Sequence, residues 1–474
     1  MQDLKRIALK LKYSDIHIYL MPVIIGILFS YLQYQFSFYY IVLAVCAISI
    51  IWLILKYPII SLILSFSSGI FKDWLTENIS LFSSIDFTSF IFSFTLVVLM
   101  LDFIRKGALF SLRFPRGFSS LVFFTLFMFA TLFYTPSAKY GLLKVGSFFI
   151  FNWFLFVFAY WSVQERKDLE RFAIFFAAIV GSVSVFTLSM LFRGFLKGDL
   201  IYSFRASFLG VNPISFANWI GCANIFYISI LLNEQAKAKR FYLLLMVFIF
   251  TATMLVSNSR GPIASLMITL FLLGIVNIKR LKLTKLIAAL VFVALVIITL
   301  FFILPEQVTS RYVDLFGGGT DVVSKTHSAY TINTRLFAWK TAISSATASL
   351  PHFLIGMGVG GFSNLFYGLD VRLYPHNMFI EIFCELGVVG LLLIILHFFE
   401  IFMPLATRLT FVKGNDRGMY LGFIMASVYL VMAAQFSGDL NDNRRIWFFL
   451  GLSLASMDIF VVEKLNSMDD EYKE

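Results

Sequence analysis

The sequence predicts an all-α, polytopic integral membrane protein of about fourteen transmembrane helices with one large polar loop on the outer side. Hydrophobic residues make up 59% of the 474-residue chain and charged residues only 14%, against roughly 25% charged in soluble domains. Several apolar runs approach the roughly 20 residues that a helix needs to cross a bilayer. Basic residues gather in short loops between those runs, as cytoplasmic loops do. Length alone would suggest two or three soluble domains, and the apolar runs overrule it.

In chain order, spans are expected near 17–33, 37–55, 57–71, 86–104, 117–134, 141–161, 170–192, 214–232, 240–257, 261–278, 284–304, 378–403, 417–436 and 443–462. The run at 57–71 is short enough to be re-entrant. The whole chain, 1–474, is expected to be a single transmembrane domain. Lys5, Arg6, Lys10 and Lys12 precede the first run, and no small-residue cleavage site closes it. It therefore reads as a retained span and not as a signal peptide.

An even number of spans puts both termini on one side. With the termini cytoplasmic, the inner loops 105–116, 162–169, 233–240, 279–285 and 404–416 carry residues such as Arg105, Arg116, Arg166, Arg240, Lys279, Lys285 and Arg408. The short outer loops near 34–36, 72–85 and 135–140 carry only Lys72 and Lys139. That asymmetry fixes the expected orientation. It also explains the net charge of +11 without nucleic acid. The 58 phenylalanines are spread through the spans, as lipid-facing and packing bulk would be. Cys46, Cys222 and Cys384 lie in or beside apolar runs, which suits packing and neither disulfides nor zinc.

Residues 305–375 break the pattern of short loops. This outer stretch is inserted between the spans 284–304 and 378–403 and holds Asp314, Gly317–Gly319, Asp321, Arg335, Trp339, Lys340 and Arg372. Long loops in compact proteins are functional or disordered. Its segment 333–349 has helical character with an apolar face, so a partly helical lid is expected. A second outer loop, 193–213, carries Arg193, Lys197 and Arg205 and ends in Asn212-Pro213.

Arg260 stands in Ser259-Arg260-Gly261-Pro262 between two spans at the outer surface. It reads either as a snorkelling arginine or as an anion clamp at a helix N-terminus, with Pro262 in the first turn. Arg205, Arg335 and Arg372 are ordinary loop charges taken singly. Converging on one surface, they would suit a diphosphate, because guanidinium grips phosphate oxygens bidentately. His376, in Tyr374-Pro375-His376-Asn377, is either interfacial or a general base. Asn377 is placed to cap the next helix. Positions 377, 381 and 385 share one helical face. Carboxylates as deep as Glu381 and Glu385 need a cavity or a basic partner.

Other signals are decoys. Gly356-x-Gly358-x-x-Gly361 matches a dinucleotide fingerprint without the strand–helix–strand unit around it. The turn Gly438-Asp439-Leu440-Asn441-Asp442-Asn443 suits a divalent cation, but turn chemistry explains it equally. His397 reads as packing. The sequence has no HExxH, Walker A or paired CxxC motif.

The string Pro375-His376-Asn377-x-x-x-Glu381-x-x-x-Glu385-x-Gly387-x-x-Gly390 follows the long outer loop. Ser259-Arg260-Gly261 stands upstream at a span start. Arg335-x-x-x-Trp339 and Gly356-x-Gly358-x-Gly360 lie between them. In this order and topology the set resembles the O-antigen polymerase and O-antigen ligase superfamily. The similarity is firmest over 200–400, and the span count fits across the whole chain.

The resemblance implies a GT-C-like glycosyltransferase of the bacterial cytoplasmic membrane, active on its extracytoplasmic side. It would move a glycan from an undecaprenyl-diphosphate carrier to a sugar hydroxyl, inverting the anomeric carbon, with no cofactor and no metal. Arg260 and Arg205 would hold the diphosphate. Arg335, with Arg372 and Asn377, would bind donor or acceptor. His376 would orient or deprotonate the acceptor hydroxyl, and Glu385 would orient groups near it. The implied partners are the lipid-linked donor, the glycan acceptor, membrane lipids, and chain-length regulator and flippase proteins. The tail from Phe436-Ser437-Gly438-Asp439-Leu440 to Trp447 resembles polysaccharide polymerases, which favours a polymerase over a ligase acting on lipid A–core or protein. A lipid-linked oligosaccharide flippase is the alternative of another class. Transporters, however, build midplane sites at internal repeats, and the polar candidates here cluster at the outer surface.

Overall fold

The computed structural model describes residues 48–79, 82, 84–107, 113–197, 206–278, 302 and 322–471. The expected span at 17–33, most of 37–55 and 284–304, and the residues Cys46 and Arg205 lie outside the described residues. The chain divides into Met1–Pro58 and Ile59–Glu474. In the first unit residues 48–56 are helical. Among the described residues every regular element is a helix.

In the second unit α1 (Ile59–Asn78) and α2 (Phe87–Lys106) come first, then α3 (Phe118–Thr131). A single rod follows, made of α4 (Ala138–Ser147), a π turn at Phe148–Asn152 and α5 (Trp153–Trp161). Next come α6 (Arg166–Lys197), α7 (Pro213–Leu231), α8 (Lys237–Val256) and α9 (Arg260–Asn277). The expected long loop contains α10 (Val322–Ala346), α11 (Leu350–Ile355) and α12 (Gly361–Tyr367). The chain closes with α13 (Met378–Arg408), α14 (Gly414–Ala433) and α15 (Arg445–Glu471).

Among the described residues eight helices are long and apolar enough to cross a membrane: α1, α2, the α4–α5 rod, α6, α7, α8, α9 and α13. Each coincides with an expected span. The run read as short at 57–71 continues as helix to Asn78, and Lys72 in this extension pairs with Asp86 at the start of the next helix. α3 has only 14 residues, fewer than the expected 117–134. α14 and α15 occupy the expected spans 417–436 and 443–462. Helices are the required form here, since lipid offers nothing to an unpaired backbone amide.

The turn residues set the helix starts. Asp86 accepts from Ser89 N at 2.9 Å, Asn212 from Ile214 N at 2.9 Å ahead of Pro213, and Asn377 from Ile380 N at 3.0 Å. α7 is the most enclosed span and packs against α8, α9 and α14. Close approach depends on small residues, as between membrane helices generally. A side chain at Gly221 would overlap the Tyr429 hydroxyl, and one at Gly451 would overlap the Phe156 carbonyl. Phe66, Phe172, Phe176, Phe226, Phe448 and Phe449 form one cluster of touching rings across four helices. Phe192, Phe241 and Phe271 point outward, where lipid would meet them. The two uses expected of phenylalanine therefore both occur. Cys222 and Cys384 are free and buried, and His397 is enclosed between Phe156 and Trp447 with its Nδ1 donating to Gly117 O at 2.9 Å.

Candidate functional site

The segment Tyr374–Met378 is bolted down on both sides. Trp339 of α10 donates its indole N–H to Pro375 O at 2.8 Å. On the other side Met378 N donates to Ala434 O at 3.0 Å, and Asn377 Nδ2 donates to Gln435 O at 3.1 Å. Between these anchors His376 holds φ at +60°, in the left-handed region. A non-glycine residue there costs of order 1 kcal/mol or more and persists only where its surroundings dictate it.

His376 is half-buried, with its ring against Tyr374 at 4.7 Å. Its Nδ1 is enclosed and has no hydrogen-bond partner among the described residues. Burial and then the Arg335 charge push its pKa down to about 4, against a smaller opposing pull from Asp439. The imidazole is therefore neutral at pH 7 and has a lone pair to offer. Arg335 lies on the same helix as Trp339, one turn before it, so one element both positions the histidine and adds its charge to the effect of burial on the histidine pKa.

Arg372 does not stand alone as a loop charge. Its Nε donates to Asp439 at 3.1 Å and its second arm pairs with Asp442. The same turn is closed internally by Asp442 N donating to Asp439 Oδ1 at 2.7 Å. Tyr140 and Tyr374 add hydroxyls to Asp439 and Asp442 at 3.3 and 3.4 Å. Turn hydrogen bonds and an arginine thus account for the acidic turn read as a possible cation site.

Below the histidine lies a buried ion cluster that the sequence reading anticipated from only one side. Glu381 and Glu385 share a face of α13, as expected. Their basic partner is Lys144 of α4, which donates to Glu385 at 2.6 Å and also pairs with Glu381. All three side chains are essentially inaccessible. Glu381 also accepts from Leu440 N at 3.0 Å, which ties the cluster to the Asp439 turn. One cation against two carboxylates leaves a formal deficit, and Glu385 Oε1 has no partner among the described residues. Lys144 was legible in principle: it sits inside the apolar run 141–161, where an isolated lysine needs an acidic partner.

Just past Glu385, α13 breaks. Gly387 adopts φ 63° and ψ −164°, interrupting the helical ladder. The carbonyls released by the break are taken up by the loop after α11. Met357 N donates to Cys384 O at 3.0 Å, and Gly358 N to Glu385 O at 2.9 Å. A Cβ at Gly387 would lie 2.5 Å from the Leu354 carbonyl. The glycines that resemble a dinucleotide fingerprint are thus the splint for a broken membrane helix. The splint is held in turn by Thr135, whose hydroxyl donates to Val359 O at 2.7 Å.

Arg260 opens α9 and is half-buried. Ser259 holds the N-cap position, yet its hydroxyl donates back to Ser257 O at 3.2 Å instead of capping the helix amides. Gly261 lies against Phe436, whose Cβ would be 2.8 Å from an added Cβ. The short segment 434–436 therefore touches both the α9 start that carries Arg260 and the α13 start that carries His376. Ala206 N donates to Val256 O at 3.0 Å, which brings the 206 segment to the end of α8 just ahead of Arg260. The structure thus gathers Arg260, Arg335, Arg372, His376 and Asn377 at one end of the bundle. Glu385 sits two turns deeper.

Residues 244–395 match the sequence model of the O-antigen ligase family. The matched segment runs from α8 into α13 and contains Arg260, Arg335, Arg372, His376, Asn377, Glu381 and Glu385. Lys144, Arg205 and the Asp439 turn lie outside it. Comparison with curated proteins gave no match.

Proposed function

We propose that this chain, whose residues 244–395 match the O-antigen ligase family, belongs to the O-antigen ligase and polymerase superfamily and is a membrane glycosyltransferase that joins lipid-linked glycans. The donor is a glycan on undecaprenyl diphosphate, and the acceptor is the sugar hydroxyl of a second carrier-linked repeat unit. About fourteen spans of GT-C-like arrangement would carry the site on the outer side of the bacterial inner membrane, with both termini inside.

The observation that supports this reading most is His376. It is a neutral imidazole with an enclosed, unpartnered Nδ1, held by an enforced backbone beside Arg335 and the Arg260 helix start. The imidazole of His376 takes the proton of the acceptor hydroxyl as that hydroxyl's oxygen attacks the anomeric carbon. The bond from that carbon to the diphosphate oxygen breaks, and its electron pair leaves on the diphosphate. Attack comes from the face opposite the leaving group and inverts the centre. Arg260 and Arg205 hold the diphosphate, and preorganised cations in a dry site stabilise the charge that grows there. Arg335, Arg372 and Asn377 line the glycan path. Glu385 acts from below, through the cluster that fixes the start of α13.

Purified protein given a carrier-linked repeat unit should yield a ladder of longer carrier-linked glycans. His376→Ala and Arg260→Ala should each abolish the ladder while membrane insertion persists. Because the matched family is named for ligases, transfer to lipid A–core with no ladder would replace the polymerase reading by the ligase one. Movement of intact substrate across the membrane, with no new glycosidic bond, would remove the enzyme reading altogether.

A further inference from the structure

Two arginines outside the matched segment take no part in the site described so far. Arg444 and Arg445 stand side by side where the Asp439 turn enters α15, and both are half-buried. Arg445 Nη1 donates to Ser215 O, in the first turn of α7, at 2.9 Å. Arg444 reaches Ser68 Oγ only at 3.4 Å and lies over the Phe92 ring at 5.7 Å. Neither forms an ion pair among the described residues. The carboxylates nearby are committed elsewhere: Asp439 and Asp442 to Arg372, and Asp86 to Lys72.

Adjacent guanidinium groups repel, and withdrawing them from water without a direct ion pair is costly. Among the described residues, the hydrogen bonds to Ser215 O and Ser68 Oγ use only a minority of the ten donors that the two guanidinium groups carry. Arg445 also lies toward the α9 start. Tyr429, whose hydroxyl lies against Gly221 of the same α7 that Arg445 reaches at Ser215, donates to Pro262 O at 3.4 Å, in the first turn of α9. The same helix start meets Phe436 at Gly261.

We propose that Arg444 and Arg445 form an anion subsite that, together with Arg260, takes the diphosphate of the lipid carrier. This assignment rests on the diphosphate-carrier reading above. A diphosphate presents two phosphoryl groups, which suits two forked cation positions better than one. Arg260 at one helix start and Arg445 at another would each engage one of them, with Arg444 meeting the charge gained on departure.

The test is binding of undecaprenyl diphosphate and undecaprenyl monophosphate to the full chain in lipid nanodiscs. Wild type, Arg444→Met, Arg445→Met and Arg260→Met are compared by tryptophan fluorescence. The two new variants should each bind the diphosphate lipid about tenfold or more weakly, the scale of a lost charge-assisted contact. Their binding of the monophosphate lipid should change less. Should Arg445→Met not remain monodisperse, Arg445→Gln takes its place, because it keeps a donor for Ser215 O without the charge. Unchanged diphosphate affinity in both new variants, alongside weakened Arg260→Met, would overturn this subsite and leave the carrier reading standing. A wild-type protein that does not bind the diphosphate lipid would remove the carrier reading, and this subsite with it.

Discussion

Replacing Lys144 by Met leaves two carboxylates facing each other with no cation between them. The side chains involved are 0%, 1% and 3% exposed, so solvent cannot screen the change. Breaking a buried ion pair by deleting one partner typically costs about 3–5 kcal/mol. Large domains lose roughly 2 °C of melting midpoint per kcal/mol. Lys144→Met should therefore lower the temperature at which the purified protein loses its monodisperse peak by about 6–10 °C. The cluster's charge gives the prediction a sign. One cation and two carboxylates are formally one charge short, so Glu385→Gln relieves the deficit where Lys144→Met deepens it. Glu385→Gln also replaces a carboxylate oxygen that has no partner. It should shift the midpoint by no more than about 2 °C, an ordinary mild substitution. Heating aliquots and reading the surviving peak by size-exclusion chromatography measures both. Equal losses in the two variants, or a wild-type midpoint for Lys144→Met, would show that the cluster's charge does not govern this end of α13.

The remaining predictions concern the histidine and the helix break. With its pKa held at about 4, His376 stays in its basic form down to mildly acidic pH, so turnover should be flat from near neutrality and fall only as pH drops through that value. Because the folded pKa lies below the unfolded 6.5, the group also contributes stability that is present above 6.5 and lost as pH falls toward 4. Arg335→Met should move the acidic limb of the pH–rate profile upward, by only part of the full shift since burial is the larger cause; an unmoved limb would separate Arg335 from His376. Gly387→Ala must accept both a positive φ and a Cβ 2.5 Å from the Leu354 carbonyl, so little monodisperse protein should be recovered, and wild-type yield would show that the break is dispensable.

The spans were legible because lipid enforces a crude rule. Apolar length suffices, and eight helices fall where runs were expected. The Asn377 cap was legible for a local reason, since cap, first turn and proline lie within a few residues. Glu381 and Glu385 announced that a partner must exist but not which one. Lys144 is more than 200 residues away in sequence, and only packing of α4 on α13 joins them. Arg372 reads as a loop charge because its acidic partners lie beyond the next two helices. Arg444 and Arg445 were hidden at the head of an apolar run, where a basic pair passes for a span boundary. The break at Gly387 was hidden for a deeper reason. Its cause is a backbone that must accommodate another backbone, and hydropathy carries no record of that.

That interlock bears on how this protein can be recombined. Gly356, Gly358 and Gly387 meet main chain to main chain, so a substitution at one is not repaired by trimming a side chain at another. Segments 131–141, 356–360 and 384–387 behave as one transplantable unit spread over three stretches of the gene. A chimera made to exchange the long loop for that of another protein would keep its broken helix only if all three stretches came from the same parent.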